Sequence, residues 1–315
     1  MIRFIGEKNP VRTVTEVEEA LAVQTIASAQ VGPRLIGVFK DGRIEEFIEG
    51  RLLTLIEANT PTYISLVARN LATIHSLDVP LRKESDYMES IFRKFICSSC
   101  ETIRTSSINE IIESESVEVG KQLRTLASFD YLGYFDWILD KIRKIPTRVS
   151  FSHNDFYVNN IMLRTTNGEC RKILTELDLA TIDLEMCAYF YRGYDIGQFL
   201  HELSFDYLNT ERPLITGRAD EKLEALFIQE YLNKWKELNA DKFDPNIDTV
   251  ENVLLESRLL SLIVFAFFPN FIMLDIIKDP KNIPYGTLAF MAGRLVKDMD
   301  QKLLVQKMLN ERNIV

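Results

Sequence analysis

The sequence predicts an α+β fold with two unequal parts, a small β-rich head and a large, mainly helical body. Strand and turn signals dominate residues 1–48, whereas helical periodicity dominates from Pro61 onward. A short return to strands and loops at 148–187 interrupts the helices. The 315 residues suffice for one large domain or two lobes with an ample core.

The head is predicted to contain a strand, a helix and a hairpin. Met1–Gly6 is a short apolar run, and Thr15–Gln30 follows a helical period. The apolar-rich runs 34–39 and 43–48 flank Asp41-Gly42, a dipeptide that favours a tight hairpin turn. The expected order is therefore strand, helix, strand, turn and strand.

The body is predicted to consist of helices on either side of a strand-and-loop segment. That segment is expected to hold strands at 148–151, 161–164, 173–177 and 181–184, with a turn at Thr166-Asn167-Gly168. The predicted helices cover 62–77, 86–102, 106–127, 131–144, 193–207, 219–238, 248–277 and 284–310.

Composition and net charge limit the classes of partner that the protein is expected to bind. The chain is 46% apolar and 26% charged, which is ordinary for a soluble globular protein, and its net charge of −9 argues against nucleic acid. The run 259–277 is nearly long enough to cross a bilayer. Because it contains Pro269, Asn270 and Asp275, we expect a buried helix there and no transmembrane segment.

The four cysteines indicate a reducing environment. Cys97 and Cys100 form a lone CxxC pair with no second pair and no nearby histidine. Two ordinary thiols on a helix are favoured over a zinc or redox site. The start of the sequence shows no secretory signal, and a cytoplasmic location is expected.

Residues 152–160 and 182–185 carry the clearest chemical signal. Asp155 is followed five residues later by Asn160, and Asp183 comes after a predicted hairpin. Kinase-type phosphotransferases use this order: one carboxylate deprotonates a substrate hydroxyl, while an amide and a second carboxylate hold Mg²⁺ on the phosphates. We therefore predict Asp155 as the catalytic base and Asn160 and Asp183 as Mg²⁺ ligands.

Two other acids are candidate metal ligands, one in addition to Asp183 and one in its place. Glu185 lies two residues beyond Asp183 along the predicted strand, so it would point to the same side and is predicted as an additional Mg²⁺ ligand. Asp178 competes with Asp183. The His-x-Asp-x4-Asn pattern alone can arise by chance, but its coupling to Ile-Asp-x-Glu argues against chance.

Together with these motifs, residues 189–197 (Tyr-Phe-Tyr-Arg-Gly-Tyr-Asp-Ile-Gly) resemble the choline/ethanolamine kinase family. Segments 32–37, 42–48 and 72–75 extend the resemblance over nearly the whole chain. The resemblance implies a protein kinase-like two-lobed fold, with a partial N-lobe at 1–48, a hinge at 45–50 and a C-lobe at 49–315. It also implies ATP and Mg²⁺ as cofactors. The implied reaction phosphorylates the hydroxyl of choline, or of ethanolamine, to give phosphocholine and ADP for phospholipid synthesis.

The resemblance implies further roles for three groups of residues. In the ATP site, Arg3 would face the phosphates, Glu19 would be its helix partner, and the backbone of Glu46 to Ile48 would meet adenine. His153, Arg192 and Asp195 would support the catalytic loop. The choline site would combine the acid Glu202 with the aromatic residues Tyr207, Phe268, Phe271 and Phe290, whose ring faces suit a trimethylammonium group. The alternative is that these phenylalanines belong only to the core.

The resemblance fails at the start of the chain. No Gly-rich phosphate loop precedes Arg3, so the N-terminus is expected to be shortened. The alternative function is a catalytically impaired partner or truncated isoform that pairs with a full-length paralogue through an exposed sheet edge. A homodimer is expected only from the resemblance. An aminoglycoside-type phosphotransferase is a third hypothesis, disfavoured by the aromatic positions near the C-terminus.

Overall fold

The computed structural model describes residues 1–4, 12–40, 42–205 and 220–314, and it confirms the α+β class. The chain divides into two compact units. The first comprises 1–88, 146–203 and 218–257, and the second comprises 89–145, 204–217 and 258–315. The predicted lobe boundary at residue 48 is a different division and stays a prediction.

The described strands form three small antiparallel sheets, all in the first unit. The first sheet contains β1 (Ile2–Phe4), β2 (Leu35–Phe39) and β3 (Gly42–Glu45), in the order β1-β3-β2. The other strands are β4 (Gly50–Leu52), β5 (Val149–Ser152), β6 (Ile161–Arg164), β7 (Leu179–Thr181) and β8 (Ala188–Tyr191). They form one sheet in the order β4-β6-β7 and one β5-β8 pair.

Helices make up most of both units. The first unit contains α1 (Glu16–Ser28), α2 (Leu55–Ala58), α3 (Pro61–His75), α8 (Gly193–Glu202) and α9 (Glu221–Leu238). The second contains α5 (Ile108–Ser114), α6 (Val117–Ala127), α7 (Tyr131–Ile142), α11 (Leu262–Lys278) and α12 (Tyr285–Glu311). The division between the units falls within α4 (Asp86–Thr105) and α10 (Val250–Leu260).

The first unit has a continuous apolar core centred on α3 and α9. Pro61 opens α3 at a position where its missing N–H costs nothing, and the helix buries Ile64, Val67, Leu71 and Ile74. These apolar residues recur at helical spacing, which is why the sequence predicted this helix. α3 packs along α9, and buried residues of α1, β5 and β6 belong to the same core.

Two predicted strands are wrong. Residues 173–177 are expected to pair with β6, but a 3₁₀ turn occupies Glu176–Asp178, and β7 pairs with β6 in their place. Thr175 and Asp178 form a capping box, in which the Asp178 side chain accepts the Thr175 backbone N–H at 2.8 Å. This capping box stabilises the 3₁₀ turn. The strand predicted at 181–184 ends at Thr181, because Asp183 adopts a left-handed backbone with φ of 68°.

Two predicted long helices are each interrupted. The helix expected over 106–127 divides into α5 and α6, and Ser116 caps the second by accepting the Val119 N–H at 3.4 Å. The helix expected over 248–277 divides at Ser261 into α10 and α11. The helical character of both segments was predicted correctly, whereas the breaks were not.

The stretch Val250–Lys278 is, within the described ranges, the helical segment long and apolar enough to cross a membrane. However, 67% of its most apolar part is buried inside the protein. In the second unit its side chains pack with α4: the ring centroid of Phe267 lies 5.0 Å from that of Phe92, and Phe271 lies 4.4 Å from Phe95. This packing is what the core helix of a folded domain shows.

Candidate active site

The predicted catalytic loop, residues 153–160, begins where β5 ends. β5 pairs with β8, with Ser152 opposite Ala188, and the chain then turns through Asn154 in the left-handed region at φ of 62°. Asparagine tolerates this conformation. The Asn154 side chain donates through Nδ2 to the Met186 carbonyl at 3.0 Å, which ties the loop to the segment before β8.

Asp195 holds the loop from the first turn of α8. Its fully buried carboxylate accepts the backbone N–H of His153 at 2.7 Å and that of Asn154 at 2.8 Å. A third bond joins Asp195 Oδ2 to His75 Nε2 at 3.1 Å, and the other His75 nitrogen lies 2.9 Å from the Tyr231 hydroxyl. A neutral His75 satisfies both bonds when Nε2 carries the proton and Nδ1 accepts from the tyrosine.

Gln198, one turn later on the same face of α8, fixes the next part of the loop. Its Oε1 accepts the Phe156 N–H at 2.8 Å, and its Nε2 donates to Asp155 Oδ1 at 3.1 Å. Sequence reasoning missed this residue. The available signal was its i+3 spacing from Asp195, which places both side chains on one helix face.

The Asp155 side chain is partly buried. His153 Nε2 lies 2.8 Å from the Ile182 carbonyl and therefore carries the proton, so His153 Nδ1 is left to accept the Asp155 N–H at 3.2 Å. Burial raises the pKa of Asp155 to about 6, and the negative charge of Asp183 acts in the same direction. A carboxylate with a raised pKa is a stronger base toward a hydroxyl proton.

Asn160 and Asp183 fit a Mg²⁺ ion shared with nucleotide phosphates. Asn160 donates through Nδ2 to the Asp155 carbonyl at 2.8 Å and to Asp155 Oδ2 at 3.0 Å, which leaves its Oδ1 as the atom for a cation. Asp183 keeps 44% of its side chain exposed. No cluster of three His, Cys, Asp or Glu suited to a metal occurs in the described part of the chain. Mg²⁺ bound with phosphates needs only one or two protein carboxylates.

The two other acids have different surroundings. Asp178 is the cap of the 3₁₀ turn and pairs with Arg171 at 3.4 Å, so its oxygens are already used. Glu185 lies outside any strand, so the alternation that placed it beside Asp183 is absent. Its backbone carbonyl accepts the Thr13 N–H at 3.2 Å. A metal-binding role for the Glu185 side chain stays a prediction.

A chain of charges links α1 to Asp183. Arg3 and Arg43 lie directly opposite each other on β1 and β3, an arrangement of like charges that costs stability unless an acid intervenes. Glu45 intervenes: its two oxygens lie 3.0 Å from Arg3 Nε and 2.5 Å from Arg43 Nε. Arg43 also pairs with Glu19 at 2.7 Å, and Arg3 reaches Asp183 at 3.7 Å.

The predicted direct pair between Arg3 and Glu19 is therefore not formed. Glu19 is bound to Arg43 and also to Arg12, whereas Arg3 is bound to Glu45 and Asp183. The strand register explains the difference. Glu45 lies two residues from Arg43 on the same face of β3, and its carboxylate contacts both Arg43 and Arg3. Arg3 nevertheless lies beside a predicted Mg²⁺ ligand, as a phosphate-facing residue should.

The predicted hinge lies between β3 and β4. Glu46 is fixed by its backbone N–H, which donates to the Arg34 carbonyl at 2.8 Å, and by its side chain, which accepts the Arg34 N–H at 3.1 Å. Ile48 is buried, and in the described part of the chain its backbone groups make no hydrogen bond. Contact between this backbone and adenine stays a prediction.

Arg192 supports the site from inside the first unit. Its fully buried guanidinium donates to Asp248 at 2.5 Å and to both oxygens of Glu256 at 3.1 and 3.2 Å. The next residue must be glycine, since a Cβ on Gly193 would lie 2.8 Å from Glu256 Cβ. This brace fixes the junction of β8 and α8, and hence the position of Asp195.

The predicted choline residues are placed in different units. Glu202 is buried at the end of α8 in the first unit, and Tyr207 lies outside the described residues. In the second unit, Phe268 and Phe271 are partly buried with ring centroids 6.3 Å apart, whereas Phe290 is buried with its ring edge-on to Phe205. The aromatic cage stays a prediction.

The loop and its supports define a class of protein: the protein kinase-like phosphotransferases, in which a carboxylate on a braced loop lies beside an asparagine and a second acid. Solved structures agree on the fold. The ethanolamine kinase of Plasmodium vivax matches 95% of this chain and 77% of its own with a TM-score of 0.62 at 17% identity. A choline kinase from Cryptosporidium parvum matches 100% of this chain and 83% of its own with a TM-score of 0.60 at 20% identity.

Sequence comparison narrows the class to one family. The profile of the Choline/ethanolamine kinase family matches residues 1–295, and the chain belongs to that family. Mouse choline kinase alpha is 26% identical over 299 residues, which cover 91% of this chain. The match spans 61% of the mouse protein's length. Human choline/ethanolamine kinase is 23% identical over 290 residues, covering 91% of this chain and 68% of the human protein.

Proposed function

We propose that this chain transfers the γ-phosphoryl group of Mg-ATP to the hydroxyl of a small amino alcohol, choline or ethanolamine. The products would be ADP and a phosphomonoester, phosphocholine in the first case, used in phospholipid synthesis. The observation that carries the proposal is the Asp155–Asn160 pair, joined by a hydrogen bond of 3.0 Å and held in place by α8. Family membership supports the same chemistry.

Each residue has a distinct part in the proposed reaction. Asp155 accepts the proton of the substrate hydroxyl, and Gln198 and Asn160 hold its carboxylate in position. Asn160 Oδ1 and the Asp183 carboxylate would hold Mg²⁺, which neutralises charge on the phosphates when bound. Arg3 supplies a further positive charge beside Asp183.

Four free cysteines support the proposed cytoplasmic location.

Calorimetric titration of Mg-ATP into the purified chain tests the nucleotide site. Asp183→Asn removes a carboxylate proposed to bind Mg²⁺, so we expect the Mg²⁺-dependent affinity for ATP to fall by about 10- to 100-fold. Asp178→Asn is the matched control, because Asp178 is engaged in a cap, and it should leave the affinity unchanged. Equal losses in both variants, or no binding by the unaltered chain at millimolar ATP, would contradict the proposal.

An impaired, kinase-like partner subunit is the second candidate. Its support is the apolar surface of the first sheet: Ile2 is 59% and Phe4 is 75% exposed on β1, and Ile36 is 64% exposed on β2. In the described part of the sheet β1 also lies at an edge, where unpaired backbone groups invite another strand. This surface would fit a second copy of the chain or a full-length paralogue.

Light scattering tests this assembly. If β1 mediates pairing, the chain should have the mass of a dimer, or should form a complex when mixed with a full-length choline kinase. Phe4→Glu should then abolish the association. Val117→Glu is the control, because Val117 is 93% exposed on α6 in the other unit. A single-chain mass under both conditions would count against the partner hypothesis.

A further inference from the structure

Tyr157 follows the proposed base by two residues, and its side chain lies on the same side of the loop. Between them, Phe156 is fully buried and packs against Phe199, with ring centroids 5.7 Å apart. The Tyr157 backbone is extended, with φ of −146° and ψ of 174°. Neighbouring side chains on an extended chain point in opposite directions. Because Phe156 points into the core, Tyr157 points out of it, as Asp155 does, and both are only partly buried.

The face of α8 that supports the loop continues toward Tyr157. Asp195 accepts the backbone N–H groups of residues 153 and 154, and Gln198, one turn later, bonds to the next two residues of the loop. Glu202 follows Gln198 by four residues on the same helix face and is buried. The loop and the helix therefore run in the same direction, which brings Glu202 alongside Tyr157.

The charges around the Tyr157 side chain are negative. Burial raises the pKa of its hydroxyl to about 12, and the charges of Asp155, Asp183 and Glu202 act in the same direction. All four residues belong to the first unit. A cation against the Tyr157 ring would be stabilised both by the ring face and by these carboxylates.

The proposed substrates carry a cation close to their reacting hydroxyl. In choline and in ethanolamine only two carbon atoms separate the hydroxyl oxygen from the nitrogen, so a hydroxyl at Asp155 leaves the ammonium group among the neighbours of that residue. The trimethylammonium group of choline donates no hydrogen bond, so ring faces and negative charges are what can hold it.

We propose that Tyr157 is a specificity-determining residue whose ring face binds the ammonium group of the amino alcohol, with Glu202 as a nearby negative charge. The inference rests on the proposed function, since Asp155 must receive the substrate hydroxyl. It adds an aromatic residue of the first unit to the predicted choline site, whose phenylalanines all belong to the second unit.

Two substitutions separate the ring from the hydroxyl. Tyr157→Leu removes the ring, whereas Tyr157→Phe keeps the ring and removes the hydroxyl. If the ring face binds the ammonium group, Tyr157→Leu should be the damaging change. If the hydroxyl instead donates to a phosphate oxygen of ATP, both changes should weaken Mg-ATP binding. Circular dichroism checks folding, and Tyr157→Met takes the place of Tyr157→Leu if the smaller side chain prevents it.

Calorimetric titration of choline into the purified chain measures the effect without turnover. We expect Tyr157→Leu to weaken choline binding about tenfold and Tyr157→Phe to weaken it by no more than about threefold. Ethanolamine should lose less in Tyr157→Leu, because its primary ammonium group donates hydrogen bonds to carboxylates. The affinity for Mg-ATP should be unchanged in both variants. Tyr285→Leu, at a position 53% exposed on α12, is the control and should bind choline normally.

The two proposals fail separately. Choline that binds, and binds more weakly to Tyr157→Leu, but is never phosphorylated would contradict phosphoryl transfer and leave the role of Tyr157 intact. Phosphoryl transfer that proceeds in Tyr157→Leu with an unchanged KM for choline would overturn the role of Tyr157 alone. Equal losses in Tyr157→Phe and Tyr157→Leu, or no choline binding by the unaltered chain, would also overturn it.

Discussion

Replacing Asp155 with asparagine is expected to lower kcat for ADP formation with choline or ethanolamine by about 10²- to 10⁴-fold. The substitution removes the only proton acceptor proposed for the substrate hydroxyl. It also turns an amide N–H₂ toward either Gln198 or Asn160, both of which donate to Asp155 at 3.1 and 3.0 Å. The effect on kcat should therefore exceed any effect on binding.

Two controls separate the base from a structural role. Affinity for Mg-ATP, measured by calorimetry, should change little in Asp155→Asn, because Asp183 and Asn160 Oδ1 are retained. Asp241→Asn, the same chemical change at an exposed position, should leave kcat unaltered. If Asp155→Asn kept its full kcat, Asp155 could not be the base. A parallel loss of ATP affinity and kcat would assign it to binding.

Arg192→Met is expected to lower the free energy of unfolding by about 3–5 kcal/mol. Methionine fills the volume but leaves the buried carboxylates of Glu256 and Asp248 without their partner. Asp248 keeps Arg148 at 2.7 Å, so Glu256 carries most of the loss. Chemical denaturation monitored by circular dichroism measures the difference.

A surface arginine provides the comparison. Arg82 is 56% exposed and pairs with Asp86 at 2.7 Å, so Arg82→Met should cost no more than about 1 kcal/mol. The double variant Arg192→Met/Glu256→Gln should recover part of the loss, because the uncompensated charge is removed. Equal stabilities of Arg192→Met and Arg82→Met would contradict the proposed brace.

Local patterns were enough to predict much of this fold. The helical periods of α3 and α9 and the turn at Asn167-Gly168 depend on residues close in sequence, and the structure has all three. The strand expected at 173–177 failed because a cap by Asp178, a local hydrogen bond, outweighed the apolar pattern. Hydrophobic periodicity does not detect that competition.

The candidate site likewise combines residues that local spacing predicts with contacts that only the folded chain creates. Asp155 and Asn160 were predicted from a five-residue spacing, and the structure joins them by a hydrogen bond. His75 lies 120 residues from Asp195, and no spacing rule connects them. Likewise, the position of Glu45 between Arg3 and Arg43 depends on the register of β1 against β3, which only the folded sheet defines.

The most direct test of the proposed function is ³¹P NMR of the purified chain with Mg-ATP and either choline or ethanolamine. The proposed reaction predicts a phosphomonoester resonance that grows with ADP, requires both Mg²⁺ and the amino alcohol, and is absent with Asp155→Asn. ATP that stays intact with both substrates, or that yields only free phosphate and ADP, would contradict phosphoryl transfer by this site.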